Sequence, residues 1–328
     1  MMKSKILKTV LQNLLIAFAI CTSTWSFGQV FPNKPIEWVV PYPPGGGTDI
    51  VARTLAEAIQ KTLGQSIVIN NKPGAATIIG AEYTAKAKAD GYTILSADTA
   101  TLAANPFLYS KLPYNPEKDF SAIGLMCRFN LILVVNPNVP ANNLKEFLAW
   151  VKAQPNSVNF ASPGAGSPHH LATELFKTQT KINLTHVPYK GLAPALQDVL
   201  GGQVPFMFVD SAAGLSHINA GKLKPIAVAN LKRLNILPNV PTFNESGLKK
   251  FEAYAWQGLV APFGTPVAEI NLLNEELRKA LNNPAIQDKF TTLGLEITAS
   301  SPAEMNAYAK QERSKWSKLI QTNHIQLD

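Results

Sequence analysis

Short β-rich runs alternate with amphipathic helical stretches along most of this chain, and the alternation starts over near its middle. Ile36-Glu37-Trp38-Val39-Val40 is a β-branched and aromatic run closed by prolines. After Gly45-Gly46-Gly47, the spacing of Val51, Leu55, Ala58, Ile59 and Thr62 predicts a helix that Gly64 stops. Ser66–Asn70 reads as the next strand, Ile78–Lys88 as a helix, and Tyr92–Ser96 as a strand behind the Asp90-Gly91 turn. Leu144, Phe147, Leu148 and Val151 share one helical face.

The second series opens with strand Val158–Ala161 and a helix over His169–Thr178. Strand Ile182–Val187 leads to a helix over Ala195–Leu200, stopped by Gly201-Gly202, and strand Val204–Val209 leads to a third helix. Ile226–Ala229 is a further strand. Thr265-Pro266 and the capping box Ser301-Pro302-Ala303-Glu304 are helix starts. Alternation at this spacing means an α/β fold with largely parallel pairing. Two series imply two sheets, hence two lobes with a cleft between them. At 46% apolar and 16% charged residues, the chain is outside the disordered class and can bury a sizeable core.

The first residues belong to a different kind of segment. Lys3, Lys5 and Lys8 precede an apolar stretch from Val10 to Cys21, and small and polar residues follow up to Gly28. That order reads as a secretory signal peptide spanning 1–28, with Ser26-x-Gly28 as the cleavage site. The apolar stretch is shorter than the about 20 residues a membrane span needs. A lipidated Cys21 is the alternative, disfavoured by the bulky Ile20 before it. Removal of 1–28 leaves 27 basic and 22 acidic residues, a net charge of +5, with Cys127 as the remaining cysteine. One cysteine makes no internal disulfide. So diffuse a positive charge mildly favours anionic small molecules and does not make a nucleic-acid surface.

In open parallel sheets, ligands sit beyond the carboxyl ends of the strands. Five irregular segments fall there: Tyr42–Asp49, Ala97-Asp98-Thr99, Ser162–Ser167, Pro188-Tyr189-Lys190-Gly191 and Asp210-Ser211. In the first of them Gly46, Gly47, Thr48 and Asp49 open a helix. Free amides and the positive dipole end there suit a carboxylate or phosphate; a turn capped by Thr48 or Asp49 is the alternative. Gly164-Ala165-Gly166-Ser167-Pro168 repeats the arrangement in the second series, with Ser167 as N-cap. Asp98 and Asp210 end strands, where each is equally suited to a ligand hydroxyl or ammonium group or to capping the next helix. Lys190 suits a carboxylate or plain solvation. Dinucleotide and P-loop fingerprints are excluded by Ile50 and by the lack of a Gly-Lys-Ser/Thr. Gly164-Ala165-Gly166-Ser167 is not a nucleophile elbow. His169, His170 and Glu174 read as a helix-surface or core group and not as a metal site, and His186 and His217 as structural. No cofactor or metal is expected.

These segments carry a resemblance. Pro35–Val40 with Pro41-Tyr42-Pro43-Pro44-Gly45-Gly46-Gly47-Thr48-Asp49 and Ala52-Arg53 resembles the opening of the Bug/TctC receptors, the solute-binding proteins of tripartite tricarboxylate transporters. Asn71–Ala75, Ala89–Thr93, Lys111–Tyr114, Ala161–Ser167, His186–Gly191, Gly201–Val204, Ala220–Leu223, Leu237–Thr242 and Gly258–Pro262 continue it in the family's order. The resemblance implies a two-lobed periplasmic-binding-protein fold of the type II kind, with mixed sheets. Lobe 1 is expected over 29–127 plus 232–328, and lobe 2 over 128–231. It further implies a monomeric, non-enzymatic periplasmic receptor that closes on a small carboxylate and delivers it to membrane transporter subunits. A sensing module that presents its closed form to a signalling receptor is the alternative, and a secreted enzyme on small acids lacks a motif. The carboxylate loop carries over to Tyr42–Asp49, with Gly164–Ser167 opposite and Asp98 and Asp210 as discriminating residues. Thr99 and Tyr189 complete the expected site. Ala75-Ala76-Thr77, Pro205 and Val209-Asp210 depart from the family's common pattern; the last two touch the pocket wall.

Overall fold

The computed structural model describes residues 31–327. The expected leader, its cleavage site and Cys21 lie outside the described residues. In chain order, β1 (Ile36–Val40) leads to α1 (Gly47–Leu63), β2 (Ile67–Asn71), α2 (Ile78–Ala85) and β3 (Thr93–Asp98). A π-helical turn (Ala100–Ala104) and the short α3 (Asn105–Leu108) precede the long β4 (Phe120–Val135) and α4 (Leu144–Lys152). The second series is β5 (Val158–Ser162), α5 (Pro168–Thr180), β6 (Leu184–Pro188), α6 (Leu192–Leu200), β7 (Phe206–Asp210), α7 (Ser211–Asn219) and β8 (Lys224–Val228). The chain then forms β9 (Tyr254–Pro262), α8 (Val267–Leu281), α9 (Pro284–Thr292), β10 (Leu295–Ile297) and α10 (Pro302–Thr322). The Ser301–Glu304 capping box forms at the start of α10, as the sequence predicts.

The two series build the same pattern. In the first, β1 lies between β2 and β3, all parallel. In the second, β5 lies between β6 and β7, again all parallel. Each third strand then meets an antiparallel neighbour: β3 pairs with β9 and β7 with β4. The two sheets share a strand. β4 pairs with β9 from Phe120 to Asn130 and with β7 from Leu131 to Val135. The strand order is therefore one path, β2-β1-β3-β9-β4-β7-β5-β6, with β10 and β8 also paired to β4. Sixteen residues at about 3.3 Å each are long enough to run through both lobes of a protein this size. Pairing is parallel inside each series and antiparallel where the series are joined, so the sheets are mixed.

Helices cover the sheets, which is why the strands read as nearly unbroken apolar runs. Twelve of the last thirteen residues of β4 but for Arg128 are buried, from Ile123 to Val135. α1 turns Val51, Ala52, Leu55, Ala56 and Ile59 inward and ends at Gly64, whose φ of 72° is the left-handed cap that glycine adopts freely. Phe176, Phe208, Phe243 and Phe251 form an aromatic cluster in the second series, with Phe243 and Phe251 ring centres 4.3 Å apart. No helix among the described residues is long and apolar enough to cross a membrane.

Candidate functional site

A cleft of about 400 Å³ opens where the carboxyl ends of β1, β3, β5 and β7 meet β9 and the middle of β4. One wall comes from the first series. β1 ends at Val40, and Tyr42 to Thr48 run along the cleft into α1. Asp49 shapes this loop from beneath. Its buried carboxylate accepts the Gly45 N–H at 2.9 Å, Arg53 Nε at 2.9 Å and Asn71 Nδ2 at 2.9 Å. Burial pushes the Asp49 pKa up, but the hydrogen bonds from Arg53, Gly45 and Asn71 outweigh it and hold the carboxyl below its ordinary value. Asp49 thus stays charged and ties the loop to the end of β2.

The loop so held leaves its helix start open. Gly46 is the N-cap of α1 and offers no side-chain hydrogen bond. Thr48 and Asp49 are not the caps; they are already inside the helix. The amides of the first turn and the positive dipole end therefore face the cleft unshielded. Gly47 is needed for the same geometry, because a Cβ there would stand 2.6 Å from Cε1 of Phe129, another lining residue.

Below the loop, the Tyr42 hydroxyl donates to Asp98 Oδ2. Asp98 Oδ1 accepts the Thr101 N–H and hydroxyl, each at 2.9 Å. Burial raises the Asp98 pKa, opposed by the hydrogen bonds from Thr101 and Tyr42. Burial and then the Asp98 charge hold the Tyr42 phenol well above its ordinary value, so it remains protonated. Its proton is committed to Asp98, and its lone pairs remain for the cleft. Gln257 of β9 donates Nε2–H to the Thr48 hydroxyl, while its buried Oε1 has no partner among the described residues.

The opposite wall comes from the second series. Asp210 ends β7 and caps α7, accepting the Ala213 N–H at 2.9 Å. His169 of α5 places Nε2 3.4 Å from Asp210 Oδ2, and neither ring nitrogen has a hydrogen-bond partner among the described residues. Lys190, Gly191 and the first turn of α6 complete the wall, with Lys190 exposed at the rim. Gly191, at φ 119°, is the N-cap of α6 and offers no side-chain bond, so this helix start is open as well. α5 differs: the Ser167 hydroxyl accepts the His170 N–H at 3.3 Å and closes its own helix start. Phe129, Ile50, Trp256, Leu192 and Leu196 make the rest of the lining apolar.

Of the residues expected from the sequence, Tyr42, Gly46, Gly47, Thr48, Asp98, Ser167 and Asp210 line the cleft. Asp49 and Thr99 lie behind it; the Thr99 hydroxyl accepts the Trp256 N–H at 3.3 Å. Gly164, Ala165 and Gly166 are outside the lining, and the amides of both glycines are used internally, Gly164 on Ser162 Oγ at 3.1 Å and Gly166 on His170 Nδ1 at 3.1 Å. Tyr189 turns away and donates to Asp198 at 2.6 Å. His170 stacks on His186, 4.0 Å between ring centres, and no group of three metal-ligating side chains occurs among the described residues.

Phe129, Trp256, Gln257, His169 and the start of α6 are lining residues that reading the sequence did not single out. β4 and β9 carry no periodic signal that shows which residue turns to a cleft. The α6 start did carry one: glycine at its N-cap leaves a helix start open, whereas Ser167 and Asp210 close theirs.

Comparison with known proteins fits this arrangement. The family model "Tripartite tricarboxylate transporter family receptor" matches residues 51–325. Protein BugT of Bordetella pertussis is 37% identical over 300 residues, 91% of this chain and 92% of that protein. The solved periplasmic binding protein BugD superposes with a TM-score of 0.85 at 36% identity, covering 90% of this chain and 100% of that one. Rpa4515 of R. palustris, solved with adipate, superposes with a TM-score of 0.87 at 33% identity, over 90% of this chain and 100% of its own. A two-lobed α/β fold whose sequence matches this model over most of its length places the chain in the TctC family of tripartite tricarboxylate transporter receptors.

Proposed function

We propose that this protein is a periplasmic, non-catalytic receptor that closes its two lobes on a small carboxylated metabolite and delivers it to a membrane transporter of the tripartite tricarboxylate type. The observation that carries the proposal is the pair of open helix starts, at Gly46 and Gly191, on opposite walls of one cleft. Both offer backbone amides and a positive dipole end, the chemistry that holds a carboxylate. Drawing the walls together around the ligand couples binding to closure. The change of partner on β4, between Asn130 and Leu131, supports a division into lobes of 29–127 plus 232–328 and 128–231. The leader over 1–28 directs export, and the mature chain acts as a monomer.

The absence of catalysis in this reading is supported by what the serines do. Ser167 Oγ is occupied as a helix cap, and the Ser162–His186 pair, 2.6 Å apart, lies outside the cleft lining. Relatives named as binding proteins point the same way.

The test is calorimetric titration and thermal shift of the purified protein with mono-, di- and tricarboxylates and amino acids. Ligand released by denaturation is identified by mass spectrometry. A carboxylated compound that raises the melting temperature with concentration, and is recovered unchanged, is the expected result. Turnover of the bound acid, or binding of neutral compounds alone, overturns the reading.

A further inference from the structure

One oxygen of Asp210 is explained by the fold and the other is not. Oδ1 caps α7, a role that asparagine fills equally well. Oδ2 faces the cleft, where its neighbour is His169 Nε2 at 3.4 Å, beyond a good hydrogen bond. Both residues are nearly dry, at 5% exposure for Asp210 and 7% for His169. A carboxylate oxygen so placed costs free energy unless a donor, best a cation, comes to it. On the facing wall, Tyr42 shows the cleft lone pairs and Gln257 an unpartnered Oε1. The unmet side-chain groups of the cleft are thus largely acceptors, while its donors are the open helix starts and the Lys190 ammonium at the rim.

We propose that the ligand is zwitterionic: an amino acid whose carboxylate rests on an open helix start and whose ammonium group is held by Asp210. This rests on the carboxylate-receptor reading and narrows it. A second carboxylate near Asp210 would set like charges together in a dry site, where repulsion is strong. A hydroxyl supplies one donor and no charge. An ammonium supplies three donors and neutralises the aspartate. The ligand's body packs on Phe129, Ile50 and Trp256, so apolar amino acids fit better than acidic ones.

The test titrates the twenty common L-amino acids, their 2-hydroxy and des-amino analogues, succinate and adipate into the purified protein and into Asp210→Asn. Asparagine keeps the cap and removes the charge. At least one amino acid is expected to bind, with its hydroxy and des-amino counterparts weaker by at least about tenfold. Asp210→Asn is expected to erase that gap by weakening the amino acid alone. A dicarboxylate or des-amino acid as the tightest ligand overturns the proposal and leaves the carboxylate reading standing. So does an unchanged amino-acid affinity in Asp210→Asn. Binding of no acid at all overturns both. The analogue series on the unsubstituted protein decides the matter without the variant, should Asp210→Asn fail to fold.

Discussion

Gly47→Ala isolates the helix start that anchors the site. The added Cβ would lie 2.6 Å from Phe129 Cε1, about 0.8 Å inside ordinary van der Waals contact. Phe129 is buried in the middle of β4 and paired across to Ala255 and Leu295, so its backbone does not yield. The ring must swing into the cleft, or the first turn of α1 must lift away from it. Overpacking of this kind costs about 1–3 kcal/mol. Alanine also removes the entropy that glycine loses on folding, a gain of about 0.5–1 kcal/mol. The sign of the stability change therefore tells which effect wins. Strain predicts a net loss of about 1–2 kcal/mol in urea unfolding. Displaced amides also weaken carboxylate affinity by about ten- to a hundredfold by calorimetry. Phe129→Leu in the same chain makes room for the methyl group, and the double-mutant cycle is expected to show coupling of at least about 1 kcal/mol. A stabilised Gly47→Ala protein with unchanged affinity would refute the packing argument and, with it, the placement of the carboxylate at Gly46–Thr48.

Three further outcomes are expected. Burial, then His186 and Lys177, holds His170 down at a pKa of about 3, and burial, then Lys177, holds His186 down at about 4. Both lie below the unfolded value of about 6.5, so the unfolded chain takes up protons first as pH falls. Their stabilisation is complete above that value and is lost from there towards pH 3–4. His186→Asn should remove about one proton from the pH slope of unfolding, and an unchanged slope rejects this account. For Asp49 the folded pKa is lowered, so its stabilisation is present above the ordinary carboxylate value and fades as pH falls through the lowered one. The melting-temperature gap between wild type and Asp49→Asn should accordingly be wide at pH 7 and close in acid; a gap independent of pH contradicts the charged-tie role. Buried Glu312 accepts the indole N–H groups of Trp256 at 3.0 Å and Trp316 at 2.9 Å. Glu312→Ala orphans both and should cost about 2–4 kcal/mol in urea unfolding, while weakening ligand binding through the Trp256 wall. A loss under about 1 kcal/mol would mean that water replaces the carboxylate.

Local chemistry was readable where one segment contains the whole cause. Ser167 ahead of Pro168, Ser301 three residues before Glu304 and Gly64 behind an apolar stripe each set a helix boundary with neighbours a turn away. The strand–helix alternation and the loops at strand ends depend on the same short range, which is why the fold class and Tyr42–Thr48 could be read from residues alone. Even there, glycine at position 46 took the cap from Thr48 and Asp49, because Asp49 spends its carboxylate on Gly45, Arg53 and Asn71.

What the sequence by itself determined is the repeated βαβ order, the open glycine loop ahead of α1, and a carboxylate at the end of β7. Only tertiary structure decided which of these meet. β4 is continuous through both sheets, and this places Phe129 over Gly47 across more than eighty residues of chain. His169 faces Asp210 because α5 packs against β7, and Gln257 reaches Thr48 because β9 runs antiparallel to β3. Helical and strand periodicities report which face of an element is apolar. They do not report which distant element covers it, and a binding cleft is made of such pairings.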